Sequence, residues 1–76
     1  MADDRDSLLA LAAQEDGRVD REDDVLELLY DALAEVPRDS VTGRALIARI
    51  DAAVFDRWQA VAMAKHYRQR AEEMGK

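Results

Sequence analysis

GRALIARIDAAVFDRWQAVAMAKHYRQRAEEM, residues 43–74, contains no proline and no glycine after its first residue. An uninterrupted helix over this stretch is about 45–50 Å long at ~1.5 Å per residue, and no other part of the chain is expected to match it. Ile47, Ile50, Val54, Trp58 and Val61 recur every three or four residues and share one stripe of that helix. Phe55 and Ala62 widen the stripe on one side. Beyond Val61 the same line is taken by Lys65, Arg68 and Glu72. The apolar residues move to nearly the opposite face, as Ala60, Met63, Tyr67, Ala71 and Met74. The first stripe is expected to bury against the rest of the chain. The second faces elsewhere, so Met63, Tyr67, Ala71 and Met74 are the candidate contact with another copy or another protein.

Upstream, Val36-Pro37 stops a helix expected over residues 21–35, because a residue before proline avoids the helical region. Asp20 suits its N-cap, and Glu22, Asp23 and Asp24 suit its first turn. Val25, Leu28, Leu29, Ala32, Leu33 and Val36 form its expected inner face. Between the two helices, Ser40 and Thr42 both qualify as the cap of the long one. Further upstream, Ser7-Leu8-Leu9-Ala10-Leu11-Ala12-Ala13 reads as a short helix over about 5–15, with Leu8, Leu11 and Ala12 inward and Gly17 as its stop. The expectation is a single all-α domain over residues 1–76, with short helices at 5–15 and 21–35 packed on a long one at 43–73.

The turn expected at Asp16-Gly17-Arg18-Val19-Asp20-Arg21-Glu22-Asp23 resembles the second half of an EF-hand loop. It is also similar to the Asp-Gly-x-Val turn between helices in TerB-like and DjlA-like domains, over roughly residues 8–33. That resemblance implies a helical domain binding a metal or small ligand. The loop's other positions depart from the calcium pattern. Aligned on Gly17, Ala12 and Gln14 stand where the first and third ligands belong, and Asp23 replaces the terminal bidentate Glu. A glycine cap followed by an aspartate cap accounts for the same residues, so no metal site is expected.

The 76-residue chain has no cysteine and one histidine, His66, which removes disulfides, thiol chemistry and a histidine-rich zinc site. His66 has no neighbouring acid to orient it as a general base. Neither a serine elbow nor a phosphate or dinucleotide loop is present. No enzymatic activity and no cofactor are expected. A domain this small, with four aromatics and much alanine, builds a thin core, and oligomerisation or a partner is the remedy left to it. No apolar run spans a membrane, and the start is acidic rather than basic, so a cytoplasmic location is the expectation.

Charge is unevenly distributed. Residues 1–35 carry twelve acids against three bases, and residues 36–76 carry eight bases against five acids. With a net charge of −6, the chain is a poor ligand for free nucleic acid and a better one for a basic protein surface. Asp16, Asp20, Glu22, Asp23 and Asp24 are the candidate docking residues for it. The expected function is that of a non-enzymatic acidic interaction module: a small regulator, inhibitor or adaptor. One form it can take is that of the small phage-encoded inhibitors, covering a basic nucleic-acid-binding surface. Two alternatives accompany it. One is an obligate homo-oligomeric helical bundle, with the basic tail of one copy near the acidic head of another. The other is the TerB-like ligand-binding domain.

Overall fold

A computed structural model describes residues 4–75 as two long helices, α1 (Asp4–Ala34) and α2 (Val41–Met74). They run antiparallel as a hairpin measuring 55 × 14 × 14 Å. All-α holds; three helices do not. The stretches expected at 5–15 and 21–35 are one continuous helix, so α1 and α2 are nearly equal partners.

The reason lies in a spacing that runs straight through Gly17. Leu8, Ala12, Glu15, Val19, Glu22, Leu26, Leu29, Leu33 and Val36 alternate steps of four and three, and each is buried or half-buried. On α2 the matching row is Gly43, Leu46, Ile50, Ala53, Arg57, Ala60, Ala64, Tyr67 and Ala71. A repeat averaging 3.5 residues keeps one seam of each helix facing the other over its whole length. Breaking α1 at residue 17 would put one half of its seam out of phase. The glycine costs about 1 kcal/mol in a helix interior, less than the packing that a break would forfeit. Gly17 has an ordinary negative φ, and a Cβ there would meet only Arg21 Nη1, at 3.7 Å.

The second departure concerns which face of α2 is buried. Ile50 is in the core, but Ile47, Val54, Phe55, Trp58 and Val61 are exposed, Trp58 by 65%. Ala60 and Ala71, assigned by spacing to an outer surface, are 0% and 1% exposed. Small side chains explain the exchange. Ala53, Ala60, Ala64 and Ala71 are small enough to be buried between two packed helices, where Val54 or Trp58 would hold the backbones apart. On α1, Leu29 and Leu33 are buried as expected, whereas Leu28 and Val25 are exposed. The core is concentrated at the loop end, where Leu29, Leu33, Ile50 and Ala53 pack with Leu26, Val36 and Leu46. Toward the chain ends the fully buried positions are alanines, Ala12, Ala60, Ala64 and Ala71.

The connection is tightly built. Glu35 N–H and Val36 N–H donate to the carbonyls of Ala32 and Leu33, three residues back, closing α1 before Pro37. Ser40, not Thr42, caps α2: its Oγ accepts from Gly43 N–H at 3.0 Å and donates to the Pro37 carbonyl at 2.6 Å.

Candidate protein-interaction surface

The seam determines what each helix presents outward. Trp58 stands roughly 130° around α2 from the middle of its seam, taking 100° per residue. Its face therefore looks away from α1. Phe55 and Trp58, three residues apart, stack there with centroids 6.3 Å apart and planes inclined at 29°. Val54 and Val61 flank them and Ile47 extends the row toward the loop, all exposed. Five large apolar side chains on one helix face form a contiguous patch, unlike the scattered single residues found on any surface. Sequence spacing found these residues as a stripe but assigned them to the core.

The residues expected to make the contact are distributed differently. Tyr67 is half-buried and Ala71 fully buried in the seam against α1. Met63 and Met74 are partly exposed on the flank of α2. Met74 lines a shallow depression near the chain ends with Leu8, Leu11 and Arg70. These four residues do not form one outward surface.

The acidic candidates are split too. Because residues 16–23 are helical, no inter-helix turn exists there, and the loop shape shared with EF-hand and TerB-like domains is not formed. Asp16, Asp20, Asp23 and Asp24 share one side of α1 by helical spacing. Glu22 faces the seam and lines a groove with Val25, Leu29, Arg49 and Asp56. Among the described residues, no group of three or more His, Asp or Glu side chains converges as a metal site, and no helix is long and apolar enough to cross a membrane.

The uneven charge has a use inside the hairpin. Arg57 Nε donates to Asp23 Oδ1 at 2.5 Å, Arg68 Nη2 pairs with Asp16, and Arg18 reaches both Glu15 (3.7 Å) and Asp56 (4.0 Å). Arg57 occupies a seam position, with its stem along the interface and its head reaching outward. Acids of α1 thus face bases of α2 along one edge of the seam, and the Arg18–Asp56 pair bridges the other edge with the signs reversed. The three inter-helix pairs are half-exposed and each contributes at most about 1 kcal/mol, but together they favour this antiparallel register. Asp20 and Asp24 remain exposed beside these pairs.

No protein-family model, curated protein or solved structure matches the chain.

Proposed function

We propose that this chain is a non-enzymatic protein-interaction module, a small regulator, inhibitor or adaptor that binds through the outer face of α2. The exposed Phe55–Trp58 pair, framed by Ile47, Val54 and Val61, carries this reading. Aromatic residues in an apolar cluster are the side chains that dominate contact energies between proteins. Leaving such a face in water wastes apolar area in a chain five of whose eight buried core residues are alanine. Asp20 and Asp24, with the paired Asp16 and Asp23, offer a second, acidic surface suited to a basic partner.

Photo-crosslinking tests this reading. A photoreactive amino acid replaces Trp58 in one variant and Gln14 of α1, exposed and off the acidic row, in another, and each is irradiated inside the cell that makes the protein. The reading requires protein adducts at position 58 that Val54→Asp abolishes, with few at position 14. Equal labelling at both positions, or none at 58, contradicts it.

A further inference from the structure

We propose that the partner on this face is a second copy of the chain, bound antiparallel about a two-fold axis passing beside Trp58. The inference rests on the reading that the Trp58 face is a protein contact, and it names the occupant.

The residues on either side of Trp58 carry the argument. Phe55 and Val61 lie three positions from it, Val54 and Ala62 four, Asp51 and Lys65 seven, Arg44 and Glu72 fourteen. At 100° per residue all of them fall within about 60° of Trp58 on α2, and all are exposed. A two-fold axis at Trp58 brings each residue against its mirror position in the second copy. Phe55 then meets Val61, Val54 meets Ala62, and the tryptophans meet at the centre. Farther out, Asp51 faces Lys65 and Arg44 faces Glu72, each twice by symmetry. Within seven positions of Trp58 the face is even in apolar character, and out to fourteen it is odd in charge, which suits a self-complementary antiparallel contact; Ile47, eleven positions away, faces the polar Gln69 at the rim. Parallel pairing would instead oppose Asp51 to Asp51 and Lys65 to Lys65.

The surface area agrees. The hairpin exposes 5748 Å², whereas a compact monomer of 8.6 kDa exposes about 4,700 Å². The excess of about 1,000 Å² is comparable to the roughly 800 Å² that each partner contributes to a stable interface. The Cα radius of gyration, 17.1 Å, also exceeds the roughly 11 Å of a compact domain of this length. A foreign basic helix is the competing occupant. It fits less well, because the acidic row of α1 lies on the far helix, while the α2 face carries both signs in alternation.

The full chain is tested by sedimentation equilibrium over a dilution series at low salt, with fluorescence of its single tryptophan read in parallel. The expected result is a species of twice 8.6 kDa that halves on dilution, with a red shift of Trp58 emission at the same midpoint. Asp51→Lys opposes like charges twice and weakens the dimer by about tenfold or more in Kd. Adding Lys65→Glu restores the attraction and the dimer. Both positions are exposed, and unchanged circular dichroism checks that the hairpin persists. A dimer indifferent to Asp51→Lys, or not rescued by the double change, overturns the axis at Trp58. A wild-type monomer at every concentration overturns the second copy as occupant. In that case the identity of the position-58 adduct, a foreign protein or nothing, decides whether the interaction reading also fails.

Discussion

A Cβ added to Gly43 would stand 2.2 Å from the carbonyl oxygen of Pro37 and 2.9 Å from that of Arg38. Both obstacles are backbone, so neither can swing aside. The first turn of α2 is packed directly under the connection, which only a residue without a side chain permits. Gly43→Ala is expected to destabilise the hairpin by about 2 kcal/mol or more, read as a lower midpoint in urea unfolding.

Gly17→Ala should do the opposite. The position is helical, with a negative φ, and an added Cβ would make only an ordinary contact with the flexible Arg21 side chain. A gain of about 0.5–1 kcal/mol is expected, from the helix interior and from the unfolded chain together. A loss would mean that α1 is broken there after all. The same urea titration decides it, and the contrast between the two glycines controls for the substitution itself.

These glycines also separate what the sequence discloses from what it does not. All-α character, the stop at Val36-Pro37 and the start of α2 near Ser40 are legible because they depend on local chemistry: no helix-breaking residue inside, a proline after the end, a hydroxyl at the cap. Gly17 followed by Asp20 has equally good local credentials as a break, yet tertiary packing overrides them. The buried face of α2 is illegible for a different reason. Hydrophobic periodicity weights Val54, Trp58 and Val61 heavily and alanine lightly, while a close helix–helix seam selects small residues. The 3–4 alternation of Ala53, Ala60, Ala64 and Ala71 with Ile50, Arg57 and Tyr67 was the available signal. It is weak because two of its members are polar or amphipathic.

Glu15 is a polar member of the seam on α1. Its Oε2 is buried without a hydrogen bond among the described residues, with Arg18 Nη1 at 3.7 Å. A partly desolvated carboxylate with an incomplete shell costs more than it returns. Glu15→Leu continues the apolar seam and is expected to raise stability by about 1 kcal/mol, seen as a higher thermal midpoint.

Removing the Ser40 hydroxyl strips the cap from Gly43 N–H and the bond to Pro37 together. Ser40→Ala should cost about 1 kcal/mol, while Thr42→Ala should change stability by less than half of that. Equal effects would mean that the two hydroxyls share the cap.

Ala60 and Val61 are neighbours in sequence about 100° apart around α2, the first sealed in the seam and the second exposed beside Trp58. Thermal melts of Ala60→Asp and Val61→Asp, followed by circular dichroism at a concentration low enough to disfavour association, compare the two faces directly. With the alanine seam inward, Ala60→Asp buries a charge between the helices and loses the cooperative melt, while Val61→Asp melts close to the wild type. Retention of the melt by Ala60→Asp, with its loss in Val61→Asp, would mean that the large apolar stripe is the core and the alanines are the surface.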